Sequence, residues 1–102
     1  MERPDEPTEL SIEDSLDLHT FAPHDVADVV DEYLRAARAA GFREIRLIHG
    51  RGRGVQRAAV HNVIARLPWV VRAYEAPADR GGWGATVVIL DALDRKSTLK
   101  PD

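Results

Sequence analysis

The feature that most narrows the fold is a change of hydrophobic period, from two to nearly four, that occurs twice in succession. Residues 15–19 (SLDLH) alternate Leu16 and Leu18 with Asp17 and His19, the repeat of a strand with one buried side. Asp17 and His19 therefore share the other side. From Val26 the period lengthens, and Val26, Val29, Val30, Tyr33, Leu34 and Ala37 make one stripe of a helix that Pro23 opens and Gly41 ends. Residues 44–49 (EIRLIH) return to strand spacing, with Ile48 breaking strict alternation as an inner strand covered on both faces does. A second helix opens near Val55, carries Val60, Val63, Ile64 and Leu67 as its apolar stripe, and stops at Pro68.

Residues 69–75 and 85–90 are two more strand-like runs, joined by APADRGGWG, which is turn chemistry. The order is thus strand, helix, strand, helix, strand, strand. A right-handed crossover makes the first two strands parallel, and the last two can pair antiparallel through the glycine-rich connection. The expected fold class is α/β, an α+β two-layer sandwich in which two helices pack on a mixed four-stranded sheet. No internal repeat is visible.

A chain of 102 residues holds one domain with a modest core, and 44% hydrophobic with 30% charged residues is ordinary soluble composition. The absence of cysteine excludes disulfides and thiolate metal sites. The N-terminal stretch is acidic without an apolar run, so neither a signal peptide nor a membrane span is expected, and the expected location is cytoplasmic. The net charge of -3 conceals an uneven distribution. Residues 1–20 carry seven acids and one base, whereas residues 21–90 carry ten arginines against seven acids. The chain divides into an acidic, flexible head (1–14), a mildly basic body (15–90) and a polar tail (91–102). With the head set aside, phosphate-bearing partners, nucleic acid among them, fit the charge.

One stretch gives that charge a focus. Residues 48–56 read IHGRGRGVQ, with Gly50, Gly52 and Gly54 at alternate positions and Arg51 and Arg53 between them. Glycine leaves backbone N–H groups uncovered, arginine supplies planar, permanently charged donors, and a helix begins directly afterwards. This is phosphate-seat chemistry. Both parallel strands deliver their C-terminal ends to one rim, so Asp17 and His19 arrive beside His49, Gly50 and Arg51. An acid and an imidazole next to an anion cradle suit acid–base chemistry at a phosphodiester. Each piece also has a plainer reading: a glycine-rich turn can serve packing alone, Asp17 can tie down a loop, and His49 can hydrogen-bond within the rim. His24 and His61 read as solvated and Trp69 as core. Trp83, within GGWG, either stacks on a base or covers the sheet. A Walker loop is excluded because Gly54 is followed by Val55 and Gln56 rather than by Lys and Ser or Thr. The dinucleotide G-x-G-x-x-G is not matched, although Glu75 stands about where its ribose-binding acid would, roughly 20 to 25 residues on.

Taken together, LDLH at residues 16–19, IHGRGRG at 48–54 and GGWGATVVIL at 81–90 resemble, in order and spacing, the signature stretches of the Smr (small MutS-related) domain family. The resemblance spans residues 15–90. It implies two helices on a four-stranded sheet and an endonuclease or nucleic-acid-binding activity. Family members act as nicking DNases in DNA repair or as RNases, some in ribosome rescue, and others are appendages of MutS-type and pentatricopeptide-repeat proteins. By position, Asp17 and His19 are the implied catalytic pair. His49, Gly50, Arg51, Gly52, Arg53 and Gly54 are the implied substrate loop. Thr20 departs from the family's usual glycine after LDLH. With RNA as substrate the 2′-hydroxyl can attack and no cofactor is needed; with DNA water attacks, and a divalent cation held by Asp17 fits the scheme. The alternatives are a module that grips RNA or DNA without cutting it, and a protein-docking unit recruited through the acidic head.

Overall fold

The computed structural model describes residues 12–52 and 54–92. Its elements follow the expected order: β1 (Ser15–Asp17), α1 (Val26–Ala39), β2 (Glu44–Ile48), α2 (Val55–Ala65), β3 (Val70–Glu75) and β4 (Ala85–Leu90). The strands form one mixed sheet in the order β1-β2-β4-β3. β1 runs parallel to β2, and β4 lies antiparallel between β2 and β3. Most of the head, most of the tail and Arg53 lie outside the described residues.

Both helices pack on the same face of the sheet. Val26, Val30, Leu34 and Ala37 of α1 and Val60 and Val63 of α2 are fully buried against Ile45, Leu47, Val88 and Leu90. Truncating one of these leucines to alanine costs about 2–5 kcal/mol in a core of this kind, so this layer holds the fold together. Trp69 packs against the same cluster, with the guanidinium of Arg38 4.9 Å from its ring centroid. The opposite face carries a smaller apolar group, Ala76, Ala85 and Val87, with Ile48 and Ile89 packed on it. Ile48 thus serves the second layer, which accounts for its break in the alternation of β2.

Two boundaries differ from those expected. Pro23–Asp25 is a 3₁₀ turn and the α-helix starts at Val26, the tighter turn closing with the Asp25 amide on the Ala22 carbonyl at 2.8 Å. β1 ends at Asp17 rather than at His19. The Leu18 amide still bonds the Ile48 carbonyl at 2.9 Å, but the His19 amide turns back to Oδ1 of Asp17 at 3.0 Å. The Phe21 amide then returns to the Leu18 carbonyl at 3.1 Å, and the chain leaves the sheet. Among the described residues no helix is long and apolar enough to cross a membrane.

Candidate functional site

Parallel pairing brings the C-terminal ends of β1 and β2 to one rim, and antiparallel pairing brings the start of β4 to the same rim, Ala85 standing opposite Ile48 and Ile48 opposite Asp17. The turn before β4 is fused to the loop after β2. Its Gly84 carbonyl accepts the amides of both His49, at 3.0 Å, and Gly50, at 2.8 Å. The Gly50 N–H is therefore spent inside the protein and is not a donor for a ligand, contrary to what spacing suggested.

His49 is likewise a builder of the loop and not a lining group. It is only 6% exposed, and both ring nitrogens are engaged, Nδ1 with the Gly50 carbonyl at 3.0 Å and Nε2 with Oγ1 of Thr86 at 2.9 Å. A carbonyl can only accept, so Nδ1 carries the proton and Nε2 receives the threonine hydroxyl. The ring is the neutral tautomer. Burial pushes its pKa below the ordinary histidine value, against the opposing effect of the Gly50 bond, and the charges of Arg57 and His61 act in the same downward sense. The plainer sequence reading, a histidine bonded within the rim, describes its geometry.

Arg51 runs across the glycine turn. Its Nη2 points to the Gly81 carbonyl at 3.4 Å, and its guanidinium carbon lies 5.4 Å from the centroid of Trp83. The arginine fits because Gly82 and Gly84 have no side chains. A Cβ on Gly82 would stand 3.0 Å from Nη2, and one on Gly84 3.0 Å from Cγ. Trp83, in the turn that leads into β4, is 49% exposed.

On the other side of the rim, Oδ1 of Asp17 accepts from the His19 backbone amide at 3.0 Å and contacts Nδ1 of the same residue at 2.6 Å. The backbone bond first, and the ring bond second, hold the Asp17 carboxyl below its usual range. An ionised carboxylate has no hydrogen to give, so Nδ1 is the donor, and in the neutral ring the lone pair lies on Nε2. The His19 side chain is 72% exposed, free to meet a ligand. This is the carboxylate–imidazole arrangement that presents one basic nitrogen in a fixed orientation.

The first turn of α2 joins the two halves. Gly54 caps the helix in the left-handed region (φ 85°) and, among the described residues, no side chain caps it; the amides of the first turn have no intrahelical acceptor. Gln56 reaches from this turn to the Leu18 carbonyl at 3.4 Å, between Asp17 and His19. Gln56, Thr86 and Gly84 are site-building residues that sequence reasoning passed over. G-V-Q reads only as a departure from a Walker sequence, and partners across the sheet have no local signature. Farther along α2, Gly54, Arg57, Ala58 and His61 line a shallow depression of about 290 Å³. Gly52 stands in the exposed part of the loop. Among the described residues no group of three His, Cys, Asp or Glu could hold a metal ion, and one Asp17 oxygen already serves His19. Among the described residues the donors around Asp17 do not make a three-ligand site for a divalent ion.

Residues 16–91 match the Smr domain family. The chain is 35% identical over 79 residues to the endonuclease MutS2 of Clostridium perfringens, covering 78% of this chain and 10% of that protein. It is 43% identical over 61 residues to the endonuclease MutS2 of Thermus thermophilus, covering 60% of this chain and 8% of the relative. The chain thus spans about a tenth of the length of the curated relatives it matches. Among solved structures, the Smr domain of Thermus thermophilus MutS2 aligns with a TM-score of 0.71 at 36% identity, over 76% of this chain and 98% of that one. YdaL, a stand-alone small MutS-related protein from Escherichia coli, aligns with a TM-score of 0.72 at 27% identity, over 76% of this chain and 64% of its own. A four-stranded mixed sheet under two helices, the three sequence stretches gathered at one rim and a match over three quarters of the length lead to one statement: the chain belongs to the Smr domain family.

Proposed function

We propose that this domain is an endonuclease that cleaves a phosphodiester bond of RNA or DNA at the β1/β2 rim. The observation that carries the reading is the Asp17–His19 pair, held at 2.6 Å on the β1/β2 rim to which the glycine loop and the start of α2 contribute Arg51 and backbone amides that attract phosphate. Asp17 is the orienting group. By holding Nδ1 it leaves Nε2 of His19 to take a proton from the attacking hydroxyl, a 2′-hydroxyl in RNA or water in DNA. The new O–P bond forms as the P–O bond to the leaving oxygen breaks, and that oxygen takes up a proton. Arg51, Arg53 and the amides of the first turn of α2 offset the charge that builds on the phosphate oxygens. Gly52 and Gly54 keep the loop free of side chains where the backbone must approach the ligand. The MutS2 relatives carry the name endonuclease, which supports cleavage over binding alone.

Incubation of the purified protein with labelled single-stranded RNA and with supercoiled DNA, with and without chelator, tests this. Cleavage by the native chain and its loss in His19→Ala is the expected result. Equal cleavage by both proteins contradicts the assignment, and tight binding without turnover leaves a nucleic-acid-binding module. The product ends identify the nucleophile, a 2′,3′-cyclic phosphate marking attack by the 2′-hydroxyl.

A further inference from the structure

Trp83 lies half-exposed beside Arg51 on the same rim, and the arrangement has a chemical consequence beyond phosphate binding. Two of the large hydrophobic side chains exposed among the described residues, Trp83 and Val55, belong to the two segments that form this rim. Trp83 is held in place. It sits in the turn Gly82–Gly84 whose two glycines are themselves buried, and the Gly84 carbonyl is anchored by the amides of His49 and Gly50. The Arg51 guanidinium backs the indole at 5.4 Å, and half of the tryptophan surface still faces solvent. A positioned indole with a cation beside it is a stacking platform for another flat π-system, and the adjoining arginine and glycine loop select one that carries a phosphate. A nucleobase attached to a phosphodiester has both features.

We infer that Trp83 stacks on a nucleobase next to the phosphate at the Arg51 loop, so that the domain takes single-stranded or locally opened nucleic acid in preference to intact duplex. The inference rests on the phosphate seat of the proposed function and adds its substrate class. In a duplex both faces of each base are covered by neighbouring bases, and only an unpaired or displaced base offers a free face to an indole. Stacking tolerates any base, because each has a π face, so no sequence preference follows from this contact.

Trp69 and Trp83 are the only tryptophans in the chain. A Trp69→Phe, His19→Ala protein therefore reports Trp83 fluorescence alone and does not turn over substrate. It is titrated with a short oligothymidylate, with the same strand made abasic throughout, and with a blunt duplex. Quenching by the base-bearing strand, little quenching by the abasic strand or the duplex, and a loss of roughly 5- to 150-fold in affinity for the base-bearing strand in Trp83→Ala are expected. Affinity for the abasic strand stays unchanged in Trp83→Ala, and Trp83→Phe retains part of the preference. An unchanged preference for bases in Trp83→Ala, or equal quenching by duplex and single strand, overturns the inference. The quenching is read on unaltered Trp83, so misfolding of the alanine variant cannot mimic it. Binding of the abasic strand separates the two ideas. If it binds and Trp83 stays silent towards the base-bearing strand as well, only the stacking fails; if neither strand binds, the phosphate seat fails with it.

Discussion

Replacing Thr86 by valine keeps the shape of a buried side chain and removes one hydroxyl. Thr86 is 2% exposed, and its Oγ1 is the partner of His49 Nε2 at 2.9 Å. The imidazole is buried as well and its other nitrogen is held by Gly50, so the substitution removes the hydrogen-bond partner of Nε2. Leaving a buried acceptor unsatisfied costs about 1–3 kcal/mol, and for a domain of this size each kcal/mol lowers Tm by roughly 4–8 °C. A melting point reduced by roughly 4 to 24 °C is the expected range. The loss should be coupled to the loop. His49 fixes the Gly50 carbonyl while the His49 and Gly50 amides bond Gly84, so protection of these two amides from hydrogen exchange should fall more than that of the Ile45 and Leu47 amides. Denaturant melts and amide exchange measure both. A stability loss under about 0.5 kcal/mol, or uniform loss of protection across the sheet, would show that His49 does not organise the loop.

Four further outcomes follow from the same geometry. His49 stays neutral in the fold and its folded pKa is lowered from 6.5, so the unfolded chain binds the extra proton first; stability falls as pH drops from about 6.5 through the folded value, and His49→Gln removes that phase in urea melts. The depressed pKa of Asp17 adds a separate loss at lower pH, beginning near its ordinary value of 3.8. Gly84→Ala places a Cβ 3.0 Å from Cγ of Arg51 and 3.5 Å from the carbonyl carbon of Gly50; the arginine yields, folding loses less than about 3 kcal/mol, and filter binding to single-stranded nucleic acid weakens at least as much as in Arg51→Ala. Gln56→Ala frees the Leu18 carbonyl from α2, and single-turnover cleavage should fall several-fold while Kd is little changed.

The fold was legible because its signals are local. The stripe from Val26 to Ala37 and the alternation around Ile45 and Leu47 depend only on neighbours within one element, and burial in the structure follows them. Boundaries were less legible where a side chain competes with the backbone, as when Asp17 captures the His19 amide and ends β1 early. In the site, the Asp17–His19 pair could be read from a spacing of two. The role of His49 could not, because the group that satisfies it, Thr86, is 37 residues away on β4, and nothing in HGRGRG shows that the Gly50 amide is already used by Gly84. The same fusion of loops brings Arg51 to Trp83, a contact between residues with no shared motif.

In the proposed reaction one nitrogen is the base, Nε2 of His19, presented by Asp17. Single-turnover cleavage of a saturating oligonucleotide by the native chain, Asp17→Asn and His19→Ala measures it most directly. Rate losses of about 10²- to 10⁴-fold are expected in both variants with Kd nearly unchanged, since the general base is lost in one and its orientation in the other. Native-like rates in either variant, or losses that appear wholly in Kd, would contradict this role.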